Sequence, residues 1–362
     1  MTALHQFSAG FSKGDAISNE ARVLRNLFRS WGCHSEIFSE LKNTTKELRK
    51  DALDFSEAPA RVKPEDVVIL HLSIGSPLNA AFAALPCRKV ILYHNITPPD
   101  YFRFLQEEIV AHLRKGLEQV RSLARVADLN LAVSRFNAEE LLLMGYRDVQ
   151  VMPMMLERGQ WDGPADRRLL GRFSDGRTNI LFVGRGAPNK RIEDLLNTLH
   201  YVQRYVDPEA RLIHVGSFGG LERYHALLQA KAYELRLERV EWMGPLSMEG
   251  LRACYQCASV FLCMSEHEGF GIPLMEAMAR GVPVVAFAAA AVPETMDGAG
   301  VLVREKRFDL IAETIGALTR QADLRAAVVA AQKARVERYL GQDFVGRWKT
   351  LLAPLLSSPL PD

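Results

Sequence analysis

Strand-like apolar runs alternate with helix-like stretches along this chain, and this alternation limits the folds that it can adopt. The strand-like runs are residues 67–73, 89–95, 128–134, 179–185, 211–217, 239–244, 258–265 and 282–287. Strands that are apolar on both faces are typical of parallel sheets covered by helices. The pattern therefore predicts a doubly wound α/β architecture.

The length of 362 residues suits two such domains better than one. Residues 155–179 are rich in Gly, Asp and Arg and have no clear periodicity, so we interpret them as the linker. We predict an N-terminal Rossmann-like domain over 1–165, which binds the acceptor, and a C-terminal Rossmann-like domain over 175–342, which binds the donor. Residues 343–362 are predicted to form a C-terminal helix that crosses back to the N-terminal domain.

Charge and cysteine content exclude some classes of function. The chain has 45 basic and 43 acidic residues, so its balance does not indicate a nucleic-acid partner. Cys254 and Cys257 form a CxxC without a second pair at zinc spacing, which favours buried reduced thiols over a metal site. The chain has no signal-like segment, so we expect a cytoplasmic protein; binding at the inner face of a membrane stays open.

Parallel sheets bind ligands outside the carboxyl ends of their strands. The residues that follow the predicted strands are therefore where chemistry is expected. They include many glycines, histidines, arginines and acids: Gly14, Asp15, His71, His94, Ser134, Gly184, Arg185, Gly216, Gly244 and residues 266–271.

The stretch EHEGFGIPLMEAMARG contains two carboxylates eight residues apart, Glu268 and Glu276. Pro273 suits the first turn of a helix, whose N-terminal amides would come from Gly269, Phe270 and Gly271. Glu268 beside those amides indicates a ligand that donates hydrogen bonds, such as a sugar, and Glu276 among apolar residues needs a donor such as a ribose diol. The alternatives are a helix N-terminal acid and an exposed helical acid.

Two basic residues flank a second strand end, in the stretch FVGRGAPNK. Arg185 follows the strand and Lys190 precedes a helix. A positive pair at a strand–helix turn suits a diphosphate, which carries charge that the protein must offset. A solvated basic turn is the alternative, because Arg191 adjoins Lys190.

These motifs together resemble those of retaining glycosyltransferases of family 4, also called glycosyl transferases group 1. EHEGFGIPLMEAMARGVPVV is similar to the family's E-x7-E signature, and FVGRGAPNK to its G-R-x4-K diphosphate segment. The resemblance covers residues 179 to about 300 strongly and the first domain weakly. It implies two facing Rossmann-like domains, the GT-B type fold, with an interdomain cleft.

The resemblance also implies a role for each matching residue. Glu268 would hold the hydroxyls of the donor sugar, Glu276 the nucleotide ribose, and Arg185 with Lys190 the diphosphate. Further positions are expected to line the nucleotide-sugar site: Gly14, Gly184, Gly244, Pro245, Leu246, Gly269, Phe270 and Gly271. His94 is the first-domain candidate beside the donor sugar, and His71 competes for that place. Asp15 is a candidate for acceptor binding or proton acceptance.

The reaction implied by the resemblance moves a hexose from a nucleotide-diphosphate sugar, with GDP-mannose or a UDP-hexose favoured, to a hydroxyl of a saccharide or lipid-linked acceptor. Such a reaction belongs to polysaccharide or glycolipid biosynthesis and retains the anomeric configuration. The sugar nucleotide is a co-substrate and no separate cofactor is expected. No metal is expected either, because the sequence has no D-x-D and Arg185 with Lys190 would offset the diphosphate charge.

Several alternatives and properties stay open at this point. A sugar phosphorylase, or a nucleotide-sugar hydrolase or epimerase, would keep the same motifs, and so would a non-catalytic nucleotide-sugar-binding protein. A nicotinamide dehydrogenase is set aside, because no GxGxxG follows the first strand. Residues 101–127 could contact a membrane surface or form an ordinary amphipathic helix. The base, sugar, acceptor, linkage and oligomeric state are not predicted.

Overall fold

The chain divides into two compact α/β units. The computed structural model describes residues 3–12, 14–156, 159 and 161–356. Unit 1 contains Met1–Asp100, Glu107–Leu156 and Gln342–Asp362, and unit 2 contains Tyr101–Gln106 and Glu157–Gly341. The chain thus changes units at Leu156, nine residues before the end that the sequence predicted for the first domain.

The strands and helices of the described residues alternate along most of the chain, which ends in three consecutive helices. The strands are β1 (Leu4–Ser8), β2 (Ile37–Ser39), β3 (Leu53–Asp54), β4 (Val67–Leu72), β5 (Arg88–Tyr93), β6 (Leu129–Ala132), β7 (Gln150–Val151), β8 (Asn179–Val183), β9 (Arg211–Val215), β10 (Val240–Gly244), β11 (Val260–Cys263), β12 (Val284–Phe287) and β13 (Val301–Val303). The helices are α1 (Ala16–Ser30), α2 (Ala58–Arg61), α3 (Pro77–Ala84), α4 (Glu107–Ser122), α5 (Arg135–Leu143), α6 (Arg167–Phe173), α7 (Ile192–Tyr205), α8 (Glu222–Glu234), α9 (Met248–Cys257), α10 (Ile272–Ala279), α11 (Val292–Met296), α12 (Phe308–Arg320), α13 (Ala322–Leu340) and α14 (Phe344–Leu352).

Each unit is built on one parallel sheet. The sheet of unit 1 has the order β3-β2-β1-β4-β5-β6-β7, and the sheet of unit 2 has the order β10-β9-β8-β11-β12-β13. All residues of β1, β4, β9 and β11 are buried, as expected for strands that helices cover on both faces. The predicted doubly wound α/β class is confirmed.

Each sheet has one point where the direction of strand addition reverses. In unit 1 the chain passes from β1 to β2 on one side and later places β4 on the other side; in unit 2 the same happens at β8, between β9 and β11. The connections diverge at such a point and leave a crevice at the carboxyl ends of the two central strands. The crevices lie beyond β1 and β4 in unit 1 and beyond β8 and β11 in unit 2.

The segment predicted as an irregular linker contains the helix α6. Asp166 caps its N-terminus, with its carboxylate accepting hydrogen bonds from the amides of Arg168 and Leu169 at 2.8 and 3.0 Å. Phe173 at its end is 1% exposed. The helix forms because a capping acid and a buried aromatic residue anchor its two ends, which a periodicity test over seven residues does not detect.

The C-terminal helix α14 belongs to unit 1. Trp348 is fully buried and meets Phe28 of α1 edge to face, with ring centroids 6.1 Å apart. The Arg347 guanidinium also donates to the Val151 carbonyl of β7 at 2.6 Å. The final helix is therefore part of the core of the first unit, although 185 residues of unit 2 precede it.

Two glycines allow the loops after β8 and β9 to approach closely. A Cβ atom added to Gly216 would lie 1.9 Å from the Gly184 carbonyl oxygen, and Gly216 has φ +153°. The Gly184 amide donates to the Val215 carbonyl at 2.9 Å, and the Gly216 amide donates to the Gly244 carbonyl at 3.0 Å. The carboxyl ends of three neighbouring strands are thereby held together by backbone alone.

We expect Gly216→Ala to destabilise unit 2 by about 3 kcal/mol or more, because the added methyl group collides with backbone that cannot move independently. Gly220→Ala is the matched control, since Gly220 has φ +74° but nothing within 4 Å of an added Cβ. Its left-handed backbone should cost only about 1–2 kcal/mol. Urea unfolding of both variants measures the difference; equal midpoints would show that the close approach does not constrain the fold.

Candidate functional site

The crevice of unit 2 brings together two of the predicted site residues. The Lys190 Nζ atom, in the turn that precedes α7, donates to Glu268 Oε2 at 2.6 Å. Both side chains are mostly but not fully buried, with 19% and 14% of their surface exposed. A cation and a carboxylate that were 78 residues apart in the sequence therefore form an ion pair that solvent still reaches.

Asn189 joins the two loops that carry this ion pair. Its backbone carbonyl accepts from the Glu266 amide at 2.9 Å, and its side-chain amide donates to the His267 carbonyl at 3.1 Å. Asn189 is 4% exposed. A buried residue whose backbone carbonyl and side-chain amide each have a polar partner fixes its neighbours more firmly than a surface contact does. Asn189, which precedes Lys190, therefore holds the Lys190 loop against the Glu268 loop.

The rest of the loop after β11 is anchored through its carbonyl oxygens. The Glu268 carbonyl accepts from the Ala291 amide at 3.2 Å, and the Phe270 carbonyl accepts from the Thr295 hydroxyl at 2.5 Å. Gly271 has φ +92° at the N-cap of α10. The predicted helix start is confirmed, because Pro273 lies in the first turn of α10.

Glu276 lies in the middle of α10 and is partly buried. The Tyr255 hydroxyl of α9 donates to Glu276 Oε2 at 2.8 Å. Burial raises the pKa of Glu276, while that hydrogen bond and the charge of Arg280 act against the increase. The carboxylate therefore has a hydrogen-bond donor within the protein, and its predicted contact with a ribose stays a prediction.

Arg185 and the other predicted positions of unit 2 lie at the ends of β8 and β10. Arg185 is exposed and donates to the Gly219 carbonyl at 3.2 Å. Gly184 has φ +157° and Gly244 φ +65°, which both favour glycine. Pro245 is exposed and Leu246 is half-buried after β10.

A second charged cluster beside the ion pair was not predicted from the sequence. The Lys306 Nζ atom donates to Asp194 Oδ2 at 2.7 Å and to Glu266 Oε1 at 2.5 Å. Arg191 lies 3.4 Å from the same Glu266 oxygen atom. Because Glu266 and Arg191 are close in sequence to Glu268 and Lys190, this cluster supports both loops. The sequence had no signal that brings Lys306 here.

In unit 1, Gly14 and Asp15 precede α1 at the crevice beyond β1. Gly14 has φ +80°, and nothing lies within 4 Å of an added Cβ. The Asp15 carboxylate accepts from the Ser18 amide at 2.8 Å and from the Ser18 hydroxyl at 2.6 Å, so it caps the helix. The structure thus accounts for Asp15 by a local role, and its predicted part in acceptor binding stays a prediction.

The two competing histidines form one buried polar cluster with two residues that the sequence analysis missed. His71 Nδ1 lies 3.0 Å from His94 Nε2, and His71 Nε2 lies 2.9 Å from the Gln6 side-chain oxygen. Glu20 Oε2 lies 3.7 Å from His94 Nε2. A sequence signal for Glu20 existed: it stands four and eight residues before Leu24 and Phe28, on the buried face of α1.

Burial controls the protonation of this cluster. It raises the pKa of Glu20 to about 8, lowers the pKa of His71 to about 3, and holds the pKa of His94 well below its ordinary value. A proton on the neighbouring His71 would lower the pKa of His94 further. Burial therefore favours the uncharged form of all three side chains.

The same three residues have the spacing of metal ligands. One ligand atom from each of Glu20, His71 and His94 lies within 4.8 Å of the others, and this is the one such group found among the described residues. The sequence predicted no metal. The two imidazoles are bonded to each other, and Gln6 satisfies the far nitrogen of His71, so a hydrogen-bonded chain also explains the arrangement.

Comparison with protein families identifies the C-terminal part of the chain. Residues 171–335 match the model of a family described as "Glycosyl transferases group 1". The matched segment lies in unit 2 and contains Arg185, Lys190, Glu268 and Glu276.

Curated relatives match over part of their length. A GDP-mannose:cellobiosyl-diphosphopolyprenol alpha-mannosyltransferase from Xanthomonas oryzae pv. oryzae is 34% identical over 183 residues, which are 49% of this chain and 47% of that protein. A D-inositol 3-phosphate glycosyltransferase from Corynebacterium urealyticum is 30% identical over 249 residues, 67% of this chain and 57% of that protein. The chain spans about half the length of the curated relatives that it matches.

Solved structures match nearly the whole chain. Sucrose-phosphate synthase from Thermosynechococcus elongatus has a TM-score of 0.74 at 17% identity, and Anabaena Alr3699/HepE in complex with UDP and glucose has 0.73 at 16%. Each alignment covers 98% of this chain and 99% of the other. At these identities the likeness shows the fold, which is of the predicted GT-B type with two Rossmann-like units. Within the described residues, no helix has the length and apolar character needed to cross a bilayer.

The raised pKa of Glu20 predicts a pH-dependent stability. The unfolded carboxyl titrates near 4.5 and the folded one near 8, so the folded protein keeps a proton that the unfolded chain has lost. The contribution of this bound proton to the free energy of unfolding is complete below pH 4.5 and is lost as pH rises through about 8. We expect Glu20→Gln to lose less stability than wild type between about pH 5 and about pH 8, measured by urea unfolding. Glu57→Gln, which alters an exposed carboxylate of the same unit, should follow wild type. Parallel curves for wild type and Glu20→Gln would contradict the assignment.

Proposed function

Because residues 171–335 belong to the glycosyl transferases group 1 family, we propose that this chain is a retaining glycosyltransferase. It moves a hexose from a nucleotide-diphosphate sugar to a hydroxyl of a saccharide or lipid-linked acceptor, in polysaccharide or glycolipid biosynthesis. The observation that carries the proposal is the Lys190–Glu268 ion pair at the crevice beyond β8 and β11. A cation for a diphosphate and a carboxylate for sugar hydroxyls stand side by side where a sheet of this type binds ligands.

The donor that we favour is GDP-mannose. Relatives with the names GDP-mannose:cellobiosyl-diphosphopolyprenol alpha-mannosyltransferase and GDP-mannose-dependent monoacylated alpha-(1-6)-phosphatidylinositol monomannoside mannosyltransferase support it, at 34% and 30% identity. A UDP-hexose is the second candidate. The names of these mannosyltransferase relatives do not favour the phosphorylase, hydrolase, epimerase or binding-protein alternatives.

Negative charge grows on the leaving diphosphate as the bond to the sugar breaks. Lys190, Arg185 and the N-terminus of α10 would stabilise this charge, which is the largest catalytic contribution that we assign to the protein. Glu268 would orient the sugar through its hydroxyls, and Glu276 the ribose. The roles implied for Gly14, Asp15 and His94 in unit 1 are part of the same proposal.

Donor binding would separate the Lys190–Glu268 pair. In the structure the Lys190 Nζ atom donates its hydrogen bond to Glu268 Oε2, 2.6 Å away. A diphosphate would bind Lys190, and sugar hydroxyls would donate hydrogen bonds to Glu268. A nucleotide sugar would therefore replace both partners of the ion pair. A nucleoside diphosphate alone replaces only one of them and leaves Glu268 without its cation.

The chemistry needs no separate cofactor and no metal in this proposal, because the basic residues offset the diphosphate charge. We place the protein in the cytoplasm, at the inner face of the membrane when its acceptor is lipid-linked. The names of the mannosyltransferase relatives include a polyprenol diphosphate and a phosphatidylinositol monomannoside, which supports an acceptor of this class.

Lys190→Ala and Glu276→Ala should each abolish most of the thermal stabilisation by the donor nucleotide. A nucleotide at about 100 times its dissociation constant stabilises wild type by about 2.7 kcal/mol. A thermal-shift screen with GDP, UDP, ADP and their sugar conjugates measures this effect. Arg223→Ala is the control, since it removes an exposed cation of the same unit. If no nucleotide shifts wild type, the transferase proposal is wrong.

Glu268→Gln should separate nucleotide binding from sugar transfer. Removing the carboxylate frees Lys190 from a partly exposed ion pair, so GDP or UDP should bind about twofold to fivefold more tightly. Transfer should fall sharply, because the sugar loses its acceptor of hydrogen bonds. Isothermal titration and a coupled transfer assay read the two effects separately. Weaker binding of the bare nucleotide would contradict the exchange of partners.

The anomeric configuration of the product decides the stereochemical part of the proposal. Proton NMR of the product should show the same configuration at the transferred sugar as in the donor. The opposite configuration would leave the transferase assignment intact and overturn retention.

A further inference from the structure

Glu266, two residues before Glu268, is held by three separate segments of unit 2. The Lys306 Nζ atom, after β13, donates to Glu266 Oε1 at 2.5 Å, and Arg191 Nε lies 3.4 Å from the same oxygen atom. The third partner is Tyr101, whose hydroxyl group forms a hydrogen bond with the Glu266 carboxylate. This carboxylate therefore ties the loop after β11 to distant parts of the chain.

The two cations have other carboxylate partners besides Glu266. Lys306 Nζ also donates to Asp194 Oδ2 at 2.7 Å. Arg191 lies 3.3 Å from that Asp194 oxygen atom and 3.2 Å from a carboxylate oxygen of Glu193. Compensating the charges of these two cations therefore does not explain the third contact of Glu266, which is made with an uncharged hydroxyl group.

Tyr101 reaches this loop on a short segment from the first half of the chain. Residues 101–106 belong to unit 2, although the residues directly before and after them in the sequence belong to unit 1. Tyr101 lies in a 3₁₀ helix, and the amides of Leu105 and Gln106 both donate to the Phe102 carbonyl, at 2.9 and 3.1 Å. Phe102 itself is 5% exposed. The Tyr101 side chain is thus presented from a backbone that hydrogen bonds and a buried neighbour hold in place.

Tyr101 contacts the side chains of both residues that precede Glu268. Its hydroxyl group meets the Glu266 carboxylate, and its ring lies 6.3 Å from the His267 ring, centroid to centroid, at an interplanar angle of 53°. Tyr101 is half-buried and His267 is buried. Asn189 holds the backbone of the same two residues, through the Glu266 amide and the His267 carbonyl. Their backbone and their side chains are therefore fixed by two different partners.

The Tyr101 hydroxyl group is the donor in its hydrogen bond with Glu266. Burial raises the pKa of Tyr101, and the charge of Glu266 and the hydrogen bond itself raise it further, while Arg191 acts in the opposite direction. A phenol titrates at about pH 10 in water, so this one keeps its hydrogen at neutral pH. A hydrogen bond from a hydroxyl group to a carboxylate is stronger than one between two neutral groups.

Donor binding makes such a restraint necessary. In the proposed function a diphosphate binds Lys190 and removes the cation that pairs with Glu268. Glu268 must then keep its place for the sugar hydroxyls without that ion pair. Its backbone carbonyl accepts from the Ala291 amide at 3.2 Å, and Tyr101 holds the two residues before it. The loop thus has restraints that do not depend on Lys190.

We propose that Tyr101 is a positioning residue, which keeps the loop that carries Glu268 in place when the donor displaces Lys190. It acts through the side chains of the two residues that precede Glu268. The proposal rests on the proposed function, which supplies the donor. The sugar part of the donor depends on Tyr101, because its hydroxyls bind Glu268. The nucleotide part does not, because it binds Lys190 and Glu276.

Isothermal titration with a bare nucleotide and with its sugar conjugate tests this difference. The ligands are GDP with GDP-mannose, and UDP with UDP-glucose. Tyr101→Phe removes the hydroxyl group and keeps the ring. It should weaken binding of the sugar conjugate by about threefold to tenfold, as expected for one hydrogen bond, and leave the affinity for the bare nucleotide unchanged. The ratio of the two affinities is therefore the quantity to compare between variants.

The same ratio in a Glu268→Gln background shows whether Tyr101 acts through Glu268. If it does, adding Tyr101→Phe to Glu268→Gln should cause almost no further loss, because the carboxylate that Tyr101 positions is already gone. A purely structural defect would instead weaken binding of the sugar conjugate by the same factor in both backgrounds, and this result would overturn the proposal.

Two other tyrosines of the chain provide matched controls. Tyr233 is 86% exposed in unit 2, so Tyr233→Phe should bind both ligands as wild type does. Tyr146 is 3% exposed in unit 1 and donates to the Val120 carbonyl at 2.7 Å, so Tyr146→Phe should lower the urea midpoint without changing the affinity ratio. A changed ratio in either control would show that the effect is not specific to Tyr101 and would overturn the positioning role.

Failure of the proposed function gives a different result from failure of this inference. If neither the nucleotides nor their sugar conjugates bind wild type, the donor site itself is wrong, and the role of Tyr101 is overturned with it. If wild type binds both kinds of ligand and Tyr101→Phe keeps the wild-type ratio, only the positioning role is overturned.

Discussion

The hydrogen bonds of Asn189 are the interaction on which the candidate donor site depends. Asn189 accepts from Glu266 and donates to the His267 carbonyl, and it precedes Lys190 directly. One buried residue thereby joins the two loops that follow the neighbouring strands β8 and β11. The Lys190–Glu268 pair can then stay partly exposed without losing its geometry, because its position is set by buried backbone contacts and not by the pair itself.

The two crevices use burial in opposite ways. In unit 2 the charged groups stay near the surface and are neutralised by partners: Lys190 with Glu268, and Lys306 with Glu266. In unit 1 the titratable groups of the Glu20, His71 and His94 cluster are deeply buried, and burial favours their uncharged forms, with the pKa of Glu20 raised to about 8. The first arrangement keeps charged groups near solvent, where they can exchange partners, and the second keeps charge out of the core of unit 1.

Much of the fold and part of the site could be predicted from the sequence. Strands such as β4 and β11 were predicted because both of their faces are apolar, and the turn before α10 because Pro273 and the glycines mark a helix start. The helix α6 was missed because its anchors, Asp166 and Phe173, are single contacts and not a periodic pattern. Gln6 was missed because a lone amide in an apolar strand has no local signature of its partners, which lie up to 65 residues away.

The sequence by itself determined the parallel α/β architecture and the identity of the candidate charged residues, since strand periodicity and motif spacing are local properties. Only the tertiary structure decided which of them meet. It paired Lys190 with Glu268, gave Asp15 a capping role, and brought a ring nitrogen of His71 to within 3.0 Å of one of His94. Hydrogen-bond partners and protonation states depend on distances between atoms from different strands, and those distances exist only after the sheet has formed.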